Sequence, residues 1–98
     1  MKTNKQNHPV QFEITGNTLF IKDGLSLLNT EQFIREVMKQ LKDTELRELE
    51  INHDRLEYID SIGGAGLNYL RDKISDQGIK TSYRGGKDHI RRKMDIFS

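Results

Sequence analysis

Alternating apolar and polar residues near the start of the chain predict a β-hairpin. Val10, Phe12 and Ile14 are separated by single polar residues, which is the period-two pattern of a half-buried strand. Gly16-Asn17 follows as a two-residue hairpin turn, and residues 18–22 supply the return strand. Asp23-Gly24 is predicted to end that strand with a turn. The hairpin is therefore expected over residues 10–22.

Three later segments carry the spacing of amphipathic helices. The first begins at Asn29-Thr30, either of which could cap it, and its apolar stripe consists of Phe33, Ile34, Val37, Met38 and Leu41. The second runs from Ile62 to about Gln77, where Gly78 is placed to form a left-handed C-terminal cap. The third is expected over residues 87–97, with an inner stripe of Ile90, Met94 and Phe97.

Short apolar segments between these helices complete the predicted order. Residues 48–52 and 79–83 are each interpreted as a strand that follows a helix. The order is β-β-α-β-α-β-α, and two strand–helix–strand units after a hairpin favour an α/β fold in which helices pack on a mixed sheet. We expect one domain over residues 9–98, after a disordered, polar lead-in at residues 1–8.

The composition excludes several kinds of chemistry. The chain has no cysteine, which excludes disulfides, thiolate metal sites and cysteine nucleophiles, and fits a cytoplasmic location. Its three histidines, His8, His53 and His89, lack the spacing of metal ligands on one helix. No apolar run is long enough to cross a bilayer. Ser61, His53 and Asp60 could suggest a nucleophilic triad, but no Gly-x-Ser-x-Gly elbow accompanies them, so we expect no metal, no cofactor and no catalytic role.

Positive charge is concentrated near the end of the chain although the net charge is only +1. Residues 79–98 contain two acidic residues and six basic ones, which are Lys80, Arg84, Lys87, Arg91, Arg92 and Lys93. The simple interpretation is a solvated helix face, and the alternative is a docking patch for an acidic partner or a membrane surface. Arg91-Arg92-Lys93 is too short to predict nucleic-acid binding.

The turn that begins at Asp60 contains the most informative residues. Asp60 or Ser61 could cap the second helix by accepting its free N–H groups. Gly63, Gly64 and Gly66 each cost a helix about 1 kcal/mol relative to alanine, which indicates that a partner surface or an adjacent strand approaches the backbone there. Ser61 is either only a cap or a phosphorylation site, because a phosphate would be favoured at a helix N-terminus.

The stretch from Leu49 to Gly63 resembles the central signature of STAS domains, which occur in sulfate transporters and anti-sigma factor antagonists. That signature is a strand, a short loop, an apolar pair and then Asp-Ser/Thr-x-Gly at the start of a helix. Gly78-Ile79-Lys80 and the helix ending at Met94–Phe97 are similar to the end of the family's domain, so the resemblance covers about residues 10–97. It implies a mixed sheet of four to five strands flanked by helices, and protein recognition rather than catalysis.

The resemblance also implies where a partner binds. In anti-sigma factor antagonists the start of the second helix docks on a kinase-like anti-sigma factor, and serine phosphorylation there prevents docking. The expected interaction surface here is Ser61 together with Asp60, Ile62, Gly63, Gly64 and Gly66.

Two residues depart from the antagonist pattern. Ile62 occupies the position of the phosphorylated hydroxyl residue, and Asn52 stands where the family commonly has Asp. The sequence is closer to the STAS subunits or segments of ABC transporter permeases for lipids and related cargo. We therefore expect a module that binds a permease or ATPase at the inner face of the membrane. The alternatives are an anti-sigma factor antagonist phosphorylated at Ser61, and a nucleotide- or anion-binding module that uses residues 63–66.

Overall fold

Five strands and three helices follow one another in the part of the chain that the computed structural model describes, residues 11–97, without the side chains of 95–97. Their bounds are β1 Gln11–Thr15, β2 Thr18–Leu25, α1 Thr30–Leu41, β3 Glu48–Asn52, β4 Leu56–Ile59, α2 Ser61–Asp76, β5 Lys80–Arg84 and α3 Asp88–Phe97. The predicted lead-in at 1–8, the predicted strand position Val10 and the side chain of Phe97, which was predicted for the inner stripe of the last helix, lie outside what the structure describes. The α/β class and the predicted element order are confirmed, with β4 as an additional strand.

The sheet is built around β2. Its first half pairs antiparallel with β1 across the predicted Gly16-Asn17 turn, and parallel with β3. Its second half pairs parallel with β4, which continues along β2 from the point where β3 ends. β5 pairs parallel with β3, so the sheet is mixed, as expected.

β2 is longer than predicted because Asp23-Gly24 forms an irregularity in the strand rather than a terminal turn. Asp23 has a φ of 63°, and the register with β4 shifts between Asp23 and Gly24. The Asp23 N–H donates to the Arg55 carbonyl at 3.0 Å, which holds the irregular residue on the sheet. The prediction that the strand ends here is wrong, because a bulge and a turn use the same residue types.

The three helices bury one face of the sheet, and α2 lies between α1 and α3. Alternate strand residues point into this layer, as Leu19, Ile21, Leu49 and Ile51 do, and they are almost completely buried. Gly78 ends α2 as predicted: it has a φ of 84°, and the N–H groups of Gly78 and Ile79 donate to the carbonyls of Ser75 and Ile74. No helix among the described residues is long and apolar enough to span a membrane.

Side chains of α3, and of Lys87 directly before it, bond to the backbone of β4 and of the loop that precedes β4. Lys93 Nζ donates to the Ile59 carbonyl at 2.9 Å, and Lys87 Nζ donates to the Asp54 carbonyl at 3.1 Å. A ring nitrogen of His89 lies 2.9 Å from the Glu57 carbonyl. Part of the basic segment therefore holds α3 against β4 and is not available to an outside partner. This role was in neither of the two interpretations drawn from the sequence.

Candidate functional site

Asp60 connects the start of α2 to the loop between β2 and α1. It is an extended residue directly after β4, and its carboxylate Oδ1 accepts the Gly63 N–H at 2.8 Å, which makes it the N-cap of α2. Its Oδ2 accepts the Leu27 N–H at 3.0 Å from 33 residues away. Asp60 is half-buried, and its bond to Gly63 is partly shielded from water, whereas its bond to Leu27 is exposed. The side chain therefore positions two segments of the site.

Ser61 is the first residue of α2 and is exposed. Asp60 performs the capping for which both residues were candidates. Within the described residues, the Ser61 hydroxyl makes no hydrogen bond, so it is open to solvent at the positive end of the helix dipole. Ile62 beside it is also exposed, with 48 % of its surface accessible. The structure places both predicted contact residues on the surface.

The three glycines of α2, in contrast, are buried. A Cβ at Gly63 would overlap the Leu25 carbonyl, and a Cβ at Gly66 would overlap Cγ2 of Thr30. The expectation that Gly63 and Gly64 belong to an exposed interaction surface is therefore corrected. Gly66 is buried as well, although it lines a groove together with Thr30 and Ile62. The glycines allow α2 to approach β2 and α1 closely, which is the adjacent-strand alternative considered from the sequence.

The same geometry argues against a phosphate cradle at residues 63–66. The Gly63 N–H is bonded to the Asp60 carboxylate, and the Gly64 N–H donates to the Asp60 carbonyl at 2.9 Å. A carboxylate thus occupies the place where an anion would bind, and Gly66 faces α1. The nucleotide- or anion-binding alternative loses its predicted site. No group of three or more His, Asp or Glu side chains that could hold a metal occurs in the described part of the chain.

An apolar groove of about 430 Å³ lies between the starts of α1 and α2, and we call it the α2 groove. Its lining residues are Leu27, Thr30, Glu31, Ile34, Ile62, Ala65, Gly66 and Tyr69. Leu27 and Tyr69 expose 68 % and 53 % of their surface, and the neighbouring Leu28 exposes 62 %. These three residues were not predicted as part of the interaction surface. Leu27 and Leu28 could have been, because two adjacent leucines just before a helix cap fit neither a helical nor a strand period and so are not expected in the core.

A second cavity, of about 300 Å³, lies at the ends of β3 and β5. His53, Tyr83, Gly85, Arg91 and Met94 line it, and we call it the His53 cavity. Burial lowers the pKa of His53 to about 4 against the opposing effect of the Asp54 carboxylate, and burial raises the pKa of Tyr83. At neutral pH both side chains are therefore uncharged.

Asn52, the departure from the family pattern, also has a structural role beside this cavity. It lies at the end of β3, and its Oδ1 accepts the Asp54 N–H at 2.9 Å. Asp54 Oδ1 in turn accepts the Gly86 N–H at 2.9 Å. The two bonds hold the loop after β3 against the loop after β5.

Comparison with known proteins gives a family and a fold. The sequence model of the STAS domain family matches residues 9–98. Among curated proteins, none matches the chain. Among solved structures, one titled "Crystal Structure Analysis of Mglu in its native form" has a TM-score of 0.56 at 13% identity, over 74% of this chain and 22% of that one.

Two related structures give similar values. The "glutamate form" of Mglu has a TM-score of 0.56 at 11% identity, covering 78% of this chain and 26% of that one. A further Mglu structure has a TM-score of 0.55 at 16% identity, covering 80% and 20%. This chain thus spans between 20% and 26% of those chains, and at such identities the likeness shows a shared fold alone.

Proposed function

The chain belongs to the STAS domain family, and we propose that it is a non-enzymatic regulatory module that docks on a larger protein through the start of α2. STAS domains are in general regulatory or transporter-associated modules.

The observation that carries the proposal is the clustering of exposed apolar side chains at the α2 groove. Of the five large apolar side chains that are exposed in the described part of the chain, three line this groove, namely Leu27, Ile62 and Tyr69, and a fourth, Leu28, follows Leu27 in the same loop. Single exposed apolar residues are ordinary on protein surfaces, whereas a contiguous apolar patch with a polar surround marks an interaction site. Ser61 and Glu31 supply polar groups at the edge of this patch.

Asp60 makes this surface well defined before any partner binds. Its two hydrogen bonds hold Leu27 next to the first turn of α2, so the apolar residues of the loop and of the helix face the same groove. A surface that is already ordered loses less conformational entropy on binding. The arrangement supports docking as a rigid patch.

The partner we favour is the permease or ATPase subunit of an ABC transporter for lipids or related cargo. Ile62 supports this choice, because an apolar residue stands where the antagonists carry their phosphorylated hydroxyl. An apolar contact at this position needs no reversible charge and suits a lasting complex. Docking of this kind would hold the domain in the cytoplasm at the inner face of the membrane through its partner.

Substitution of Ile62 tests the docking surface. Co-purification of the tagged chain with permease and ATPase subunits should fall at least tenfold for Ile62→Asp, because a carboxylate would then be desolvated in the interface. Ser61→Asp should also weaken binding, while an acid at the first helical position stabilises α2 by about 0.3–1 kcal/mol and so preserves the fold.

Ser75→Asp is the matched control, since it adds the same charge to an exposed position near the other end of α2. It should bind as the unmodified chain does. Retention of full binding by both the Ile62 and the Ser61 variants would exclude the start of α2 as the docking surface.

Phosphorylation of Ser61 by an anti-sigma factor kinase is the second candidate function. The exposed hydroxyl, which Asp60 frees from capping, favours it, because a phosphate there would meet the positive end of the α2 dipole. Intact-mass analysis after incubation with such kinases should show one added phosphate, which Ser61→Ala removes. No mass gain with any of these kinases would argue against the switch.

A further inference from the structure

The His53 cavity lies where α/β folds commonly bind small ligands. It lies beyond the carboxyl ends of two adjacent parallel strands, β3 and β5, and α3 forms its outer wall through Arg91 and Met94. Crevices outside the carboxyl ends of parallel strands are the usual ligand sites of such sheets. In the described part of the chain, none of its lining residues also lines the α2 groove, so the two sites are separate.

Two buried polar atoms belong to residues that line this cavity and have no partner within the described chain. His53 exposes 3 % of its surface, and its Nε2 makes no hydrogen bond. The Tyr83 hydroxyl is likewise buried and unpaired, and the two rings are 4.9 Å apart between centroids. Buried polar groups without a partner are rare and costly, so the pair of them indicates a binding group supplied from outside the chain.

The charge around the cavity selects an anion. Arg91 lines it and forms no salt bridge among the described residues. Lys87, just before α3, is paired with Glu57 at 3.3 Å, and Arg92 is the next residue along α3. Two acids act on the buried pair: Asp54 on His53, and Asp72 on Tyr83, where Arg71 opposes it. Asp54 Oδ1 already accepts the Gly86 N–H. The guanidinium fork of arginine matches the two oxygens of a carboxylate.

The volume of the cavity and its apolar wall limit the size and polarity of the part of the ligand that is not the anionic group. A volume of about 300 Å³ is at the lower end for small-molecule sites and leaves space for one compact group beyond the anion. Met94, 8 % exposed, supplies an adaptable apolar surface for that group. One guanidinium in the wall beside two uncharged hydrogen-bonding groups suits a monoanion better than the double charge of a phosphate.

We propose that the His53 cavity binds a small organic monocarboxylate, held by Arg91 with hydrogen bonds from the Tyr83 hydroxyl and His53 Nε2, and packed against Met94. This is a ligand site in addition to the docking surface. Through the loop after β3 it adjoins β4, which leads directly into Asp60.

Amide chemical shifts of the whole chain test the site with three probes, acetate, lactate and benzoate, and with benzamide as the uncharged isostere of benzoate. At least one carboxylate should give saturable shifts at the amides of His53, Tyr83, Gly85, Gly86 and Arg91, and benzamide should give none. Absence of saturable shifts with all three carboxylates, or equal shifts with benzamide, would overturn the proposal. Tighter binding of inorganic phosphate would overturn the carboxylate assignment.

Two variants identify the groups that hold the carboxylate. Tyr83→Phe removes only the hydroxyl, so it should weaken binding about tenfold while the fold is kept, because that hydroxyl has no partner in the free chain. Arg91→Met keeps the aliphatic stem and should abolish binding. The control is Arg92→Met, which removes the neighbouring charge outside the cavity and should change affinity less than twofold. Equal losses in the Arg91 and Arg92 variants would show nonspecific attraction to a basic surface and would contradict the site.

Discussion

At the scale of single residues, His53 combines near-complete burial with a titratable ring. Loss of hydration lowers its pKa to about 4, and the Asp54 carboxylate only partly opposes this effect. In the unfolded chain the ring has its ordinary pKa of about 6.5. As the pH falls, the unfolded state therefore takes up a proton on this ring before the folded state does. This uptake favours the unfolded state, so the unfolding free energy is highest at a pH where the ring is neutral in both states.

We predict that the contribution of His53 to stability is complete above pH 6.5 and is lost as the pH falls toward 4. Between pH 7.5 and pH 5 this loss amounts to about 2 kcal/mol of unfolding free energy, from the separation of the two pKa values. Urea unfolding at both pH values measures it. His53→Gln cannot take up the proton and should lose about 2 kcal/mol less than the unmodified chain over the same interval, whatever its absolute stability. Equal losses in the two proteins would contradict the prediction.

Asp60 and Ser61 show what the sequence reveals at this scale. A helix start at this turn is predictable, because both residues carry the acceptor that a cap requires. Which of them caps is decided by the Leu27 N–H, which Asp60 Oδ2 accepts across 33 residues of sequence. A single carboxylate with two oxygens can accept both bonds, whereas a serine hydroxyl on its short side chain cannot reach both.

At the scale of elements, the close contact between α1 and α2 depends on Gly66. A Cβ there would overlap Thr30 Cγ2 but would lie 3.5 Å from Ile34 Cδ1, which is ordinary contact. Thr30 is buried and cannot move freely, because its hydroxyl donates to the Ser26 carbonyl at 2.6 Å. The obstacle to a larger residue in α2 is thus one methyl group of α1.

We predict that Gly66→Ala lowers the unfolding free energy by about 1–2 kcal/mol, since overpacking outweighs the gain in helix propensity of about 1 kcal/mol. Thr30→Ser removes the overlapping methyl and keeps the hydroxyl, so Gly66→Ala should cost little or be stabilising in that background. A double-mutant cycle measured by urea unfolding should show a favourable coupling of about 1 kcal/mol or more. Additive effects of the two substitutions would show that the overlap does not determine the contact.

Elements that are specified by neighbouring residues could be predicted from the sequence, whereas elements that depend on contacts distant in sequence could not. The hairpin at Gly16-Asn17 and the end of α2 at Gly78 are specified by residues next to each other in sequence, and both are confirmed. β4 is only four residues long, and it is a strand because β2 continues past Asp23 to pair with it. The glycines of α2 predicted a close approach, but only the positions of Leu25 and Thr30 show that the chain approaches itself.

At the scale of the whole molecule, α3 supports both proposed sites. Arg91 and Met94 form the wall of the His53 cavity, while Lys93 bonds to the Ile59 carbonyl directly before Asp60. The basic residues of the last segment therefore fall into three groups: some attach α3 to β4, one lines the cavity, and others are exposed to solvent. Composition alone could not show which basic residue has which role, because neighbouring residues of the same charge point in different directions from one short helix.

Lys93→Met tests whether this attachment orders the start of α2. Methionine keeps the packing of the stem but loses the bond to the Ile59 carbonyl and the contact of the ammonium with the Tyr58 ring, 5.5 Å from its centroid. We predict a loss of about 1–2 kcal/mol of unfolding free energy, together with faster hydrogen exchange at the amides of residues 60–64, because Ile59 leads directly into the cap. Arg92→Met, at an exposed position whose side chain makes no such bond among the described residues, should stay within about 0.5 kcal/mol of the unmodified chain. If Lys93→Met lowers stability but leaves exchange at residues 60–64 unchanged, α3 stabilises β4 without ordering the docking surface, and a ligand in the His53 cavity would have no route through Lys93 to the start of α2.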